Sequence, residues 1–198
     1  MKPTEILSAE HRVIERVLGC LDKIADDAQN AGRLDERNAR DAIDFLRNFA
    51  DRCHHGKEEN NLFPALEAQG FPRDGGPVGV MLHEHDEGRG HIRAMDEAVV
   101  QASAGQPEAV RRFVEHARSY TDLLRQHIQK EDNILFVLAD RVLSAADQQE
   151  LLAQFEHVET EHMGQGTHEK YLALANRLTE RYGTTLTAAP ACVRCCGH

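Results

Sequence analysis

The sequence predicts an all-α protein, an up-and-down four-helix bundle with a fifth C-terminal helix and a short flexible tail. Three observations predict this fold class. Helix-forming residues (Ala, Leu, Glu, Arg and Gln) dominate the 198 residues, whereas aromatic residues make up 5% and tryptophan is absent. Apolar residues recur at helical spacing in five segments. Most of the glycines and prolines that mark helix ends fall between those segments.

The first two helices are predicted to form a hairpin. The first runs over residues 4–28, with Thr4 as its expected N-cap, because its apolar side chains make one stripe along the helix. The second runs over residues 35–69. Pro64 lies near its end and is expected to kink or interrupt it, since proline removes a helical hydrogen bond.

The third and fourth helices are predicted to form a second hairpin. Pro77 and Pro107 suit the first turn of a helix, so we expect the two helices to begin there. The third ends near Gly105 and the fourth ends before Ser144. Ser144 and Asp147 make a variant of the capping box, which indicates that a new helix begins at that point.

A fifth helix over residues 145–182, weakened at Gly164 and Gly166, completes the predicted helical domain. That domain is expected to span residues 1–183, with the four-helix bundle over 4–143. The remaining residues, 184–198, are predicted to be a tail that contains three cysteines and a histidine: Cys192, Cys195, Cys196 and His198. These four are candidate zinc or iron ligands or a redox-active pair, and ordinary thiols in a disordered tail are the alternative.

Charge and composition exclude several classes of partner. The 33 acidic residues outnumber 23 Lys and Arg, for a formal net charge of −10. Nucleic acid and anionic membrane surfaces would be repelled by that charge. The longest apolar run has six residues, too few to cross a bilayer, and the N-terminus lacks the apolar core of a signal peptide. We therefore expect a cytoplasmic protein whose five cysteines are reduced.

An internal repeat relates the two hairpins. His54 and Glu58 recur as His127 and Glu131, both at the same displacement along the chain. Upstream, the dipeptide Glu10-His11 recurs as Glu84-His85 at a displacement that differs from the first by a single position. Each half thus carries one histidine on its first helix and a His-x-x-x-Glu on its second. The repeat predicts two pseudo-symmetric hairpins.

The repeated residues are predicted to bind metal. Side chains four residues apart share a helix face, so each His-x-x-x-Glu addresses one point between the hairpins. Four imidazoles and two carboxylates inside a bundle are costly unless they are paired, and metal ions would pair them. Two metals bridged by the carboxylates fit this count of ligands. The predicted ligands are His11, His54, Glu58, His85, His127 and Glu131.

Neighbouring histidines offer alternative registers. His55 with Glu59 is also a pair four residues apart, but the repeat matches His54 to His127, so His55 is expected outside the ligand set or facing solvent. His83 remains an alternative to His85. Cys53 is expected to pack in the interior. Exposed helix faces are expected for the histidines without a partner in the repeat: His91, His116, His157, His162, His168 and His198.

Four segments together resemble one family. The strings SAEHRVIERVL, HHGKEENNLFP, GPVGVMLHEHDEGR and HIQKEDNILF occur in this order within residues 4–140 and resemble the hemerythrin-like, or HHE cation-binding, proteins. The resemblance implies a four-helix bundle with a carboxylate-bridged, non-heme di-iron centre. It implies that Glu58 and Glu131 bridge the irons. His11 and His54 would bind one iron, and His85 and His127 the other.

The resemblance also bears on function. Oxygen-carrying hemerythrins have a further histidine four residues after the third-helix ligand, and Arg89 stands there in this chain. An open metal position favours reaction with small oxidants (dioxygen, peroxide or nitric oxide) in a stress response, and catalytic consumption of peroxide is the enzyme hypothesis. Arg89 is expected either to bond a bound anion or to pair with a nearby acid. The alternative functions are sensing of dioxygen or redox state and iron storage or donation, because the third-helix string is also similar to RIC-type iron-sulfur repair proteins.

Overall fold

The computed structural model describes residues 1–162, 164 and 166–183, and within them the backbone is helical with no strand. The predicted tail over 184–198 lies outside the described residues. We number six helices over the described part of the chain: α1 (Pro3–Ala31), α2 (residues 36–68), α3 (Gly76–Ser103), α4 (residues 107–142), α5 (residues 145–162) and α6 (Thr167–Tyr182).

Helices α1 to α4 form the predicted bundle. Short loops connect them, so successive helices run antiparallel. Helix α1 packs against α2 and α4, and α3 packs against the same two helices. No helix among the described residues is both long and apolar enough to cross a membrane.

Local sequence explains where the helices begin and end. Helix α1 ends at Gly32, whose φ of 63° is the left-handed conformation that glycine adopts without strain. The Asp35 side chain caps α2 by accepting from the Asn38 backbone N–H. The predicted capping box at Ser144 is present at the start of α5. Thr4 is not the N-cap of α1, because Pro3 already occupies the first helical turn.

Helices α2 and α4 contain π-helical turns beside the repeated glutamates. In α2 these turns cover Leu46–His55 and Glu58–Leu62, and in α4 one covers Glu131–Leu135. Pro64 does not interrupt α2, which continues through it as the α-helical segment Phe63–Ala68. The matching turn in α4 forms without a proline, so the widened turns belong to the repeat rather than to Pro64. Such turns occur frequently at functional sites.

The buried apolar side chains form two clusters. The larger contains Phe49 and Phe113, and the smaller contains Leu7, Phe63 and Phe155. Burial of each large apolar side chain contributes roughly 1.5–3 kcal/mol. The predicted ligands lie between the two clusters: along α1, for example, Leu7 belongs to the smaller cluster, His11 follows, and Ile14 belongs to the larger.

The predicted fifth helix is two helices. Helix α5 is α-helical over Ala145–His157 and ends in a π-helical turn over Val158–His162, and α6 begins at Thr167. Gly164 and Gly166 have positive φ values of 85° and 79°, which lie outside the range of an α-helix and separate the two helices. Both helices pack on the outer side of α1 and α2.

Candidate metal centre

All six predicted ligands meet in the polar layer between the apolar clusters. Helix α1 provides one of them, α2 two, α3 one and α4 two. Each is at most 1% exposed, although each carries an ionisable group. Buried groups of this kind require partners that replace water. The six residues are His11, His54, Glu58, His85, His127 and Glu131.

Each of the two glutamates lies between the two halves of the repeat. Glu58 Oε1 is 3.6 Å from Nε2 of His54 and its Oε2 is 3.5 Å from Nε2 of His85. Glu131 Oε2 is 3.2 Å from Nε2 of both His11 and His127. Every glutamate therefore contacts one histidine from each half, which is the placement that a bridging carboxylate requires.

The donor atoms form two groups in which all members lie within 4.8 Å of one another. The first group consists of His11, His54, Glu58 and Glu131. The second consists of His55, Glu58, His85 and His127. The two groups share Glu58, and each holds enough nitrogen and oxygen donors for one transition-metal ion.

His55 does not face solvent. It is 4% exposed, and its ring stacks on that of His85 with 3.8 Å between centroids. The repeat offers no partner for His55, so the repeat alone predicts it outside the ligand set. The π-helical turn over Leu46–His55 changes the angular spacing of α2, so neighbouring histidines both reach the polar layer. A fifth imidazole is therefore present in the layer, although it comes from α2 and not from position 89.

Carboxylates outside the layer fix the orientation of the predicted ligand histidines. A carboxylate only accepts hydrogen bonds, so Nδ1 of each ring carries a proton and Nε2 is the ring nitrogen that faces inward. The Nδ1 atoms lie 2.7–2.9 Å from these carboxylates: His11 from Asp132, His54 from Glu10, His85 from Glu59, and His127 from Glu84. Each carboxylate in turn pairs with a base: Arg12, Lys57, Arg89 and Lys130 respectively.

The inward atoms of the layer fit a metal ion better than they fit one another. All four carboxylate oxygens of Glu58 and Glu131 are buried without a hydrogen-bond partner, as are Nε2 of His11 and Nε2 of His54. Nε2 of His85 lies 3.1 Å from Nε2 of His127. Burial opposes a charged His127, but Glu131 and Glu84 outweigh it and raise its pKa to about 9, so its Nε2–H donates to Nε2 of His85, and a metal ion bound there would displace that proton.

Burial and neighbouring charges shift the pKa values of the side chains in the layer. Burial and the nearby charge of Glu131 hold the pKa of Glu58 well above its usual range. Burial opposes ionisation of Glu131 too, but His127 and His11 outweigh it and hold its pKa well below the usual range. Burial and the charge of His11 lower the pKa of His54 to about 4. The raised pKa of Glu58 means that the metal-free layer disfavours a second negative charge beside Glu131, and a metal ion would offset that charge.

The alternative residues lie outside the layer. His83 is exposed, so the structure favours His85 over it. Cys53 is only 2% exposed and packs in the interior as expected. Burial raises the pKa of its thiol to about 12. Arg89 pairs with Asp51 and Glu59, which is the ion-pair alternative of the sequence analysis.

Three of the histidines expected on exposed faces are half-buried. His91 and His116 face each other across α3 and α4, with 3.0 Å between their Nδ1 atoms. His168 on α6 lies 3.9 Å from Glu10 through its Nε2. These rings are partly buried because of contacts between different helices. The spacing of residues in the sequence does not indicate those contacts.

The geometry defines a helical bundle with a buried centre of histidines and carboxylates, a set of side chains suited to binding metal. The model of the hemerythrin HHE cation-binding domain matches residues 2–139, so the chain belongs to this family. Similar proteins include uncharacterized proteins of Mycobacterium tuberculosis and Mycobacterium bovis, each 27% identical over 166 residues. The alignment covers 81% of this chain and 62% of each relative, so the chain spans about three-fifths of their length. No solved structure matches the chain significantly.

Proposed function

We propose that the protein is a carboxylate-bridged, non-heme di-iron protein that binds or reacts with small oxidants: dioxygen, peroxide or nitric oxide. One observation carries the proposal. Glu58 belongs to both groups of donors, and its two oxygens face different groups without a hydrogen-bond partner. In this proposal His11 and His54 hold one iron and His85 and His127 the other, with Glu58 and Glu131 between them.

Iron is the proposed metal because of the family and the donor set. Mixed imidazole and carboxylate ligation also suits manganese and zinc, so affinity alone does not select iron. Membership of the hemerythrin family favours iron. When bound, two adjacent irons supply two-electron redox chemistry, which suits peroxide and dioxygen.

Burial restricts the ligands that reach the layer. The predicted ligands are at most 1% exposed, so only molecules of a few atoms reach them without movement of the helices. A groove of about 830 Å³ between α2 and α5 is lined by residues that include Arg52, Asn60 and Gln154, and none of its lining residues is a predicted ligand. A small oxidant therefore suits the site better than an organic substrate.

The chain's own groups hold and orient ligands but do not supply a nucleophile. The Cys53 thiol has a pKa of about 12 because it is buried, so it stays protonated at neutral pH. Arg89 is held by Asp51 and Glu59, outside the layer. Catalytic consumption of peroxide is thus proposed to proceed at the metals, with the histidines as ligands.

His55 supports a second candidate function. As a fifth imidazole, it would occupy a metal position that four histidines leave open, and fewer open positions favour reversible binding over turnover. A sensor of dioxygen is therefore the alternative to the peroxide enzyme. The two candidates predict different behaviour under repeated exposure to oxidant.

The experiment combines metal analysis, spectroscopy and turnover. Iron-loaded protein should contain two irons per chain and should consume hydrogen peroxide over many turnovers, faster than free iron at the same concentration. Glu131→Ala should lose both properties, and His83→Ala, a matched exposed control, should keep them. A spectrum that cycles reversibly with dioxygen, with no turnover, would favour the sensor. Easily released iron after one oxidation would point to storage or donation.

A further inference from the structure

A buried lysine lies beside one half of the metal centre. Lys57 is 0% exposed, and its Nζ is 2.5 Å from Glu10 Oε1 and 2.5 Å from Glu159 Oε1. Lysine is almost never fully buried unless it is paired. The same Glu10 accepts from Nδ1 of His54, so the lysine is one contact removed from a predicted ligand.

The internal repeat provides a comparison within the molecule. Its nearly constant displacement relates Glu10, His54 and Lys57 to Glu84, His127 and Lys130 respectively. The chemistry is the same in both halves, because Lys130 pairs with Glu84 and Glu84 accepts from His127. The exposure differs. The Lys130 side chain is 37% exposed and that of Glu84 13%, against 0% for Lys57 and 5% for Glu10.

Helices α5 and α6 cause this difference. Glu159 lies on the π-helical turn that ends α5, and Phe155, one turn earlier, has its ring 5.8 Å from the lysine Nζ. His168, near the start of α6, lies 3.9 Å from Glu10. These two helices cover only the half of the layer that contains His54. Among the described residues no helix covers the other half in this way, and Lys130 remains partly exposed there.

We propose that Lys57 and Glu159 are positioning residues, through which α5 and α6 fix Glu10 and thereby the ring of His54. One of the two metals, the one held by His11 and His54, is then bound under the control of the C-terminal helices, and the other is not. This inference rests on the proposed function, because it needs two metals and says that the ligands of each metal are held by different contacts. It makes the two metals inequivalent despite the symmetry of the repeat.

The physical basis is the orientation of a ligand by its outer partner. A carboxylate that accepts from Nδ1 sets the tautomer and the angle of the ring, and loss of such a partner typically weakens metal binding about 10–100-fold. Glu10 is 5% exposed and depends on Lys57 for its second contact. Glu10, Glu159 and His168 also have the spacing of a cation site, and the Lys57 ammonium group already lies between the two carboxylates.

Cobalt(II) titration of the full chain, followed by its absorption and by competition with a chelator, tests the proposal. The wild type should bind two ions. Lys57→Met should weaken one of them about 10-fold, and Glu159→Gln about 3-fold because it leaves the Lys57 to Glu10 pair intact. Lys130→Met, the matched control, should change either affinity less than about 2-fold because its ion pair is partly exposed. The weakened ion should be the one that His11→Ala fails to bind.

Several outcomes separate this inference from the proposed function. Circular dichroism of the metal-free variants checks that they fold. If Lys57→Met does not fold, Glu159→Gln decides the question, because the Glu159 side chain is 34% exposed and glutamine has the same shape as glutamate. Unchanged binding in Glu159→Gln, or equal effects of Lys57→Met and Lys130→Met, would overturn the inference and leave the di-metal centre in place. A wild type that binds no second ion would instead reject the proposed function.

Discussion

Removal of metal should lower the stability of the protein by a calculable amount. Two donor groups predict two ions per chain. A ligand present at 100 times its dissociation constant stabilises the folded state by about 2.7 kcal/mol, so two independent ions add about 5 kcal/mol. For a domain of this size, each kcal/mol shifts Tm by about 2–4 °C. We therefore expect the loaded protein to melt about 10–20 °C above the metal-free protein.

Glu58→Gln sharpens this prediction because it changes one atom type at constant volume. Glu58 belongs to both donor groups, so the variant weakens both ions, and the metal-dependent shift should fall below about 5 °C. Burial and the charge of Glu131 disfavour ionisation of Glu58, which is why its pKa is raised. Replacing its carboxyl by an amide should therefore leave the metal-free protein about as stable as the metal-free wild type.

Thermal melting followed by circular dichroism, with and without chelator, measures both effects. Glu150→Gln, an exposed glutamate on α5, is the control and should retain the full shift. An unchanged Tm after complete removal of metal would refute the central site. A full shift in Glu58→Gln would refute the assignment of this residue to both ions and would make Glu131 the only bridge.

Three further predictions concern single side chains. His85→Ala should lower the metal content from two ions to one, whereas His83→Ala should keep two, and equal losses in metal analysis would contradict the orientation of α3. Asp35→Ala should cost about 1 kcal/mol in urea unfolding because it removes the cap on α2. Hydrogen bonds from Asn38 outweigh burial and lower the pKa of Asp35. The stability difference between wild type and Asp35→Ala should therefore be present above about pH 4 and shrink as the pH falls through the lowered pKa. Equal stability of the two proteins at neutral pH would contradict this role of Asp35. Phe155→Ala should cost about 3–5 kcal/mol in the same assay, and less than about 1 kcal/mol would show that α5 is not anchored there.

The repeat made most of the centre predictable from sequence. The nearly constant displacement between the two halves identifies the six predicted ligands without any knowledge of the fold. It does so because two hairpins of similar length place equivalent positions in one layer. The same displacement also relates Glu59 to Asp132 and Lys57 to Lys130. That signal was available for the outer carboxylates and their bases. The roles of these residues in orienting histidines emerged only from the contacts.

Other features could not be predicted because they depend on local departures from regular geometry. His55 breaks the repeat and reaches the layer through a π-helical turn, and the angular spacing of an α-helix does not anticipate such a turn. Glu159 and Lys57 are far apart in the chain and meet only because α5 folds back on α2. In the sequence, a buried charged residue of an amphipathic helix looks the same as a charged residue that faces solvent.

The two apolar clusters on either side of the polar layer bear on how the protein acquires its metal. Each cluster joins residues of α1, α2, α3 and α4, so both ends of the bundle are held together by contacts that involve no metal ligand. The scaffold can therefore assemble first and receive its ions afterwards. Loading then requires only transient separation of helices around ligands that are already in place. A cell that is short of metal would thus accumulate folded, metal-free protein that can still bind its ions. It would not accumulate an unfolded chain that is degraded.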